Sequence, residues 1–307
     1  MIELFARSPS MREAVSLAER VSVTDANVLI TGESGAGKDL LAAYIHSQSK
    51  RAAQPFVKID CATLPGELLE AELFGYERGA FTGAVEARAG RFEAAQHGTI
   101  VLDEIAHLST DAQAKLLRVI ERREFERLGG RKTIKLDARL LALTNVDLDA
   151  AVKAGRFRED LFYRLNVINI RVPPLRERKQ DLPALAQYFV KQYAAKHVRK
   201  VDRVSPPALA LLKSYDYPGN ARELANVIER AVIVANGRSI ESDDLPAGLS
   251  AAVAAQRQRE QPPSLAEMEA SYIAEILVAT RGNKTQCARI LGISRKNLYE
   301  KIARYDL

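Results

Sequence analysis

The residues Gly32-Glu33-Ser34-Gly35-Ala36-Gly37-Lys38 follow the pattern G-x-x-x-x-G-K. An apolar run, Asn27 to Thr31, enters this loop, and apolar residues resume at Leu40, Leu41, Tyr44 and Ile45 with helical spacing. Between a strand and a helix, such a loop turns its backbone N–H groups and the helix N-terminus toward a phosphate, and Lys38 can reach the β and γ oxygens. Asp39 stands where a Ser or Thr usually follows the lysine. A glycine-rich turn with a solvated lysine is the competing interpretation, and a second pattern argues against it. "IVLDEI" delivers Asp103 and Glu104 to the C-terminal end of a buried strand, the edge at which open α/β sheets bind ligands. One carboxylate can hold Mg²⁺ through water while the next orients or deprotonates an attacking water. Asn145, closing "LLALTN", could touch the γ-phosphate or that water, although a turn-forming Asn is the simpler interpretation of this residue taken alone.

These groups need a sheet to position them. "NVLIT" (Asn27 to Thr31), "PFVKIDC" (Pro55 to Cys61), "TIVLD" (Thr99 to Asp103), "ARLLALT" (Ala138 to Thr144) and "NVINIRV" (Asn166 to Val172) have strand character. Helical segments alternate with them, such as Met11 to Val21 and Ala112 to Arg123. The alternation predicts an α/β layered domain with a mostly parallel sheet. From Asp181 to about Gly237 only helical segments are expected, a small all-helical subdomain. Residues 248–264, small, polar and closed by two prolines, have the composition of a linker. The expected division is therefore 1–174, 175–247, the linker 248–264, and a third unit at 265–307.

The chain has 307 residues, enough for about two domains, or three if one is small. A net charge of +6 permits a polyanionic partner without requiring one. The two cysteines, Cys61 and Cys287, have no metal-ligand spacing. With no signal-peptide core at the N-terminus and no apolar run able to span a bilayer, a reduced, cytoplasmic protein is expected.

One stretch fits neither a strand nor a helix. In Gly79-Ala80-Phe81-Thr82-Gly83-Ala84 one aromatic and one hydroxyl sit between glycines. Glycines at both ends allow sharp turns that present the tip, and a tip meant only for solvent gains nothing from a phenylalanine.

With these segments in place, the chain resembles the NtrC-type activators of sigma-54 RNA polymerase, a branch of the AAA+ ATPases. The resemblance runs from Leu4 to Leu307 and rests on "GESGAGKD", "ELFGYERGAFTGA", "GTIVLDEI", "QAKLLRVIE", "FREDLFYRLNV", "PPLRERKQDL" and "YPGNARELANVIERAV". It implies an AAA+ P-loop domain with a parallel sheet, an all-helical lid, and a C-terminal Fis-type helix-turn-helix. It also implies ATP and Mg²⁺ as cofactors and a homo-oligomeric ring, taken as a hexamer. Lys38 would bind phosphate, Asp103 would hold Mg²⁺, Glu104 would activate water and Asn145 would serve as first sensor. Arg158 and Arg164 match trans-acting arginine fingers, and Arg222 matches the second sensor. Phe81 and Thr82 would engage the sigma factor, with Gly79 and Gly83 as hinges. An acidic residue at Asp39 follows the family's usage. Asp60 departs from it, because the family commonly places there an Asn that switches the glutamate; an ionised Asp60 would repel Glu104 instead.

Three helical stretches follow the linker. Tyr272, Ile273, Ile276 and Leu277 mark the first, Ala288, Ile290 and Leu291 the second, and Ser294 is a natural N-cap for the third. This is a helix-turn-helix pattern. Arg281, Lys284, Arg289, Arg295, Lys296, Lys301 and Arg304 face a single acid, Glu300, between Arg281 and Tyr305. That balance is the footprint of phosphate binding on double-stranded DNA, with Arg295, Lys296, Asn297 and Glu300 as candidates for base edges. The expected function is an ATP-hydrolysing activator that binds upstream DNA and remodels sigma-54 polymerase to open complexes. The alternative is a DNA-binding regulator without productive ATPase activity, against which Glu104, Arg158, Arg164 and the intact Phe81-Thr82 tip argue. An AAA+ machine acting on another protein is opposed by the helix-turn-helix. Few residues precede Asn27, too few to fold a sensory domain, so this chain is expected to assemble and hydrolyse ATP without phosphorylation.

Overall fold

A computed structural model describes residues 4–249, 264–280 and 282–305. The chain forms two compact units that divide between Pro246 and Ala247. Most of the expected linker, and Arg281 in the helix-turn-helix, lie outside the described residues.

The first unit is built on a five-stranded parallel sheet. Its strands, numbered here among themselves, are β1 (Val28–Thr31), β2 (Phe56–Asp60), β3 (Thr99–Asp103), β4 (Arg139–Thr144) and β5 (Ile168–Arg171), in the order β2-β3-β4-β1-β5. Alternate residues go to opposite layers. Leu29, Ile59, Ile100, Leu102, Leu140 and Ala142 join one core, whereas Val28, Ile30, Val101, Leu141 and Leu143 join the other. Burial on both faces explains why these strands are nearly continuous apolar runs. The helix Pro9–Ser22 begins with Ser8 accepting from the Met11 N–H and a proline in its first turn. The fully buried Arg139 fastens that helix to the sheet by donating to the carbonyls of Val21 and Ser22.

The lid follows, with helices Leu182–Lys196, Pro206–Ser214 and Asn220–Val234. The sequence predicts helices alone here, and the structure adds a short ladder to them. Arg203–Val204 and Ser239–Ile240 pair as a short parallel ladder, too brief to leave a periodicity that sequence can show. In the second unit, helices Leu265–Ala279, Lys284–Ile290 and Arg295–Tyr305 close around Ile273, Cys287, Ala288 and Leu298. Among the described residues no helix is long and apolar enough to cross a membrane.

Candidate functional site

The loop Gly32–Lys38 leaves the C-terminal end of β1 and opens the helix Lys38–Ser47. Lys38 is buried, its ammonium folded back onto the loop's own carbonyls, Gly32 at 2.9 Å and Glu33 at 3.3 Å. Burial pulls its amine below the ordinary lysine value, against the raising influence of Glu104, Asp103 and Asp39. A phosphate entering the loop would add counter-charge to this desolvated cation, whose ion pair with Glu104 is long at 4.0 Å.

Asp103 is the last residue of β3, and Glu104 follows it with φ +51°. This left-handed conformation is strained for a non-glycine residue, and it turns the glutamate back over the sheet edge. One Glu104 oxygen lies 4.0 Å from the Lys38 ammonium, and the other accepts the Asn145 N–H at 3.3 Å. Asp103 accepts the Glu104 N–H at 3.0 Å and holds the Lys58 ammonium at 2.7 Å. Asp60 pairs with Asp103 in the strand register, but its carboxylate caps the local turn by accepting from the Ala62 N–H at 2.9 Å. Among the described residues no hydrogen bond joins Asp60 to Glu104. The neighbouring Cys61 thiol, pushed up to about 12 by burial and then by Asp60, Asp103 and Glu104, stays protonated.

The lid clasps the outer side of the loop. Arg176 grips Glu33 with two bonds at 2.5 and 2.8 Å, holding its carboxyl down at about 2 with help from Asn220. Asn220 is fully buried, with φ +54°; its amide donates to Glu33 and to the Ser34 carbonyl and accepts from the Leu175 N–H. Arg178, also buried, donates to the Ala36 carbonyl at 2.5 Å, and Arg222 reaches the Ser34 hydroxyl at 2.9 Å.

Residues 79–84 form a turn-rich loop above a short hairpin, Gly75–Tyr76 against Arg88–Ala89. The Gly79 N–H donates to Ala84 and the Ala84 N–H to Phe81. Gly79 and Gly83 have φ +83° and +105°, which explains the glycines at both ends. Thr82 is exposed, and Phe81 is 38% exposed. Its ring lies edge-on against Tyr76, with centroids 5.0 Å apart, instead of standing free. Arg127, in the turn of a second hairpin that pairs Glu124–Glu126 with Thr133–Lys135, braces the base of this loop by pairing with Glu93 at 2.8 Å and Glu77 at 3.2 Å.

In the second unit the Ser294 hydroxyl accepts from the Asn297 N–H at 3.2 Å, opening the third helix as expected. Arg295, Lys296, Asn297 and Glu300 are exposed on it, and Leu298 is buried beneath. Lys284 lies over the Tyr299 ring, 4.7 Å from its centroid. Lys301, counted above among the cations facing a polyanion, is instead paired with Glu269 at 2.6 Å.

Three family models match this chain in succession: the Sigma-54 interaction domain over residues 4–171, an AAA+ ATPase lid domain over 176–262, and the Fis family of bacterial regulatory proteins over 264–305. The first alone covers more than half of the chain. The chain belongs to the sigma-54-dependent transcriptional activators, AAA+ ATPases with a Fis-type DNA-binding domain. It is 46% identical to the regulatory protein AtoC of Escherichia coli over 312 aligned positions, covering 99% of this chain and 68% of AtoC. It is 44% identical to FlbD of Caulobacter vibrioides, covering 98% of this chain and 70% of that protein. Among solved structures, NtrX of Brucella abortus in complex with ATP superposes with a TM-score of 0.74 at 36% identity, covering 99% of this chain and 69% of that one.

Within this activator the two candidate arginine fingers are held by their own neighbours. Arg158 makes a two-point pair with Asp160 at 2.7 and 3.0 Å, and Arg164 pairs with Glu121 at 3.2 Å. Among the described residues neither bonds to Lys38, Asp103 or Glu104. Sequence reasoning passed over Lys58, Asn220, Arg176, Arg178 and Gln113. Buried Gln113 accepts from the Arg158 N–H and donates to the carbonyls of Leu108 and Arg156, joining the segment after Glu104 to the one carrying Arg158. A signal existed for Lys58, since the period of two along "VKID" sets it on the same face as Asp60. None existed for Asn220, whose partners lie far away in the sequence.

Proposed function

We propose that this activator binds ATP on the Gly32–Lys38 loop and hydrolyses it as a homo-oligomeric ring, using the conformational change to open sigma-54 RNA polymerase complexes at promoters whose upstream DNA it binds. The observation that carries this reading is the convergence of buried Lys38 with Asp103, Glu104 and Asn145 at one sheet edge, while Phe81 and Thr82 lie exposed on a separate loop. The loop N–H groups from Gly35 to Lys38 cradle the phosphates, and Lys38 exchanges its carbonyl partners for the β and γ oxygens. Glu104 accepts the proton of the attacking water, and Asn145 orients that water. Arg222, already at Ser34, reports the nucleotide to the lid. NtrX, at 36% identity, has been crystallised with ATP, and separately with ADP, which supports the choice of nucleotide.

The residues fit a Mg²⁺ ion. Asp103 offers oxygen donors at the strand end and already draws an ammonium to one of them, as a hard-cation site should. A Mg²⁺ ion of this kind is held by one or two carboxylates and completed by waters and substrate phosphates. Bound there, the ion would draw charge from the β and γ oxygens during transfer.

The direct test is open-complex formation by sigma-54 polymerase with the purified activator. Melting of promoter DNA is expected with ATP and not without it; melting that is independent of ATP, or none with it, would overturn the reading. Phe81→Ala and Thr82→Ala should keep most of the ATPase activity and lose open-complex formation, because the tip is built on its own hairpin away from Lys38. Normal activation by either variant would remove the tip from its role.

A further inference from the structure

β2 is an edge strand of the sheet, and Lys58 projects from it toward two carboxylates. Its ammonium lies 2.5 Å from Asp39, in the first turn of the helix after the phosphate loop, and 2.7 Å from Asp103. The other Asp103 oxygen accepts the Glu104 N–H, so the backbone and Lys58 each hold one oxygen of this carboxylate. In P-loops with Ser or Thr after the lysine, a neutral hydroxyl joins the metal shell. Here Asp39 puts a second negative charge beside Asp103, and without a counter-ion the two would repel each other.

We propose that Lys58 is a tethered cation that competes with the divalent ion for Asp103, holding one of its oxygens and yielding it when the ion binds, while Asp39 retains the ammonium. The inference rests on Asp103 as the ion's ligand. Lys58 is a positioning residue that makes cation entry depend on the nucleotide. An ion arriving alone must displace an ammonium from a charge-assisted hydrogen bond. An ion arriving with ATP brings phosphate oxygens that outweigh that loss. Lys58 thus neutralises the Asp39–Asp103 pair, and divalent binding becomes coupled to triphosphate binding.

The test is Mn²⁺ binding to the full chain, followed by electron paramagnetic resonance, together with thermal melting in the presence of EDTA or Mg²⁺. Without nucleotide, Lys58→Met should bind Mn²⁺ roughly tenfold more tightly than the wild type, the scale of one charge-assisted hydrogen bond. Lys58→Arg, which keeps the charge, should stay weak. Lys58→Met should also melt lower than wild type in EDTA and recover with Mg²⁺, a rescue that lost packing alone would not show. Equal Mn²⁺ affinities in wild type and Lys58→Met, with a melting deficit that Mg²⁺ leaves untouched, would overturn the proposal. In the wild type, labelling of Lys58 by an amine-reactive probe should be faster with Mg²⁺ and ADP than with ADP alone, and an unchanged rate counts against it even if the variant does not fold. Asp103→Asn separates the two levels. If it binds Mn²⁺ with ADP as well as wild type does, the assignment of Asp103 itself fails; if it does not, a null result at Lys58 concerns Lys58 alone.

Discussion

Glu104→Gln is expected to lower ATP turnover by about 10²–10⁴-fold, the usual contribution of a positioned general base, with nucleotide affinity nearly unchanged. Glutamine preserves the size of the side chain, and its amide oxygen can still accept the Asn145 N–H that the glutamate accepts now. What it loses is the ability to take a proton from water. The groups expected to hold the nucleotide, Lys38 and the loop backbone, do not depend on the Glu104 charge beyond one contact at 4.0 Å. Phosphate release reads the first quantity and titration with a fluorescent ATP analogue reads the second. Turnover at the wild-type rate in the purified variant would remove Glu104 from the role of base; a parallel collapse of affinity would make it a binding residue instead.

The sheet and the phosphate loop were legible because both are local. Five apolar runs give five strands, and G-x-x-x-x-G-K needs only a strand before it and a helix after it. The acidic pair was equally plain, since Asp103 and Glu104 are adjacent and end a strand. What stayed hidden is what depends on pairing across the chain. Asn220 meets Glu33 and Ser34 only because the lid folds back over the loop, and nothing in "YPGNARELAN" announces that the amide faces a phosphate loop. Arg127 looks like any charge in a turn-rich segment until its hairpin is set against Glu77 and Glu93. Lys301 reads as a DNA-facing cation until the first helix of its unit brings Glu269 beside it. Charged side chains are the hardest to assign from sequence for this reason: their type fixes what they can bind, and only the fold decides which partner is within reach.

Asp60 shows the same point from the other side. Resemblance alone would expect an amide there, bonded to the catalytic glutamate. The aspartate bonds within its own turn, and Glu104 is turned toward Lys38 and the Asn145 backbone. The contacts that orient it are the Lys38 ammonium and the Asn145 N–H, which offset the cost of its left-handed backbone.

Arg158→Ala is expected to reduce turnover by about 10³–10⁵-fold, the range for an arginine placed against the transferring phosphoryl group. The loss should arise in a neighbouring subunit's site. Within one chain, Arg158 is held by Asp160 and its backbone by Gln113, and Arg164 by Glu121, without a bond to Lys38, Asp103 or Glu104 among the described residues. Both pairs are exposed, so each guanidinium can exchange its carboxylate for a phosphate at little cost, since surface ion pairs are worth about 0–1 kcal/mol. Turnover per subunit should therefore rise with protein concentration until rings are complete. Lys38→Ala protein keeps its arginines but loses its phosphate ligand, whereas Arg158→Ala protein has the opposite defect. Mixing the two inactive proteins should restore part of the activity, because some interfaces will pair an intact loop with an intact arginine. Phosphate release measured across concentration, and across mixing ratios of the two variants, decides the matter. A rate per subunit independent of concentration, with no recovery on mixing, would mean that each chain completes its own site.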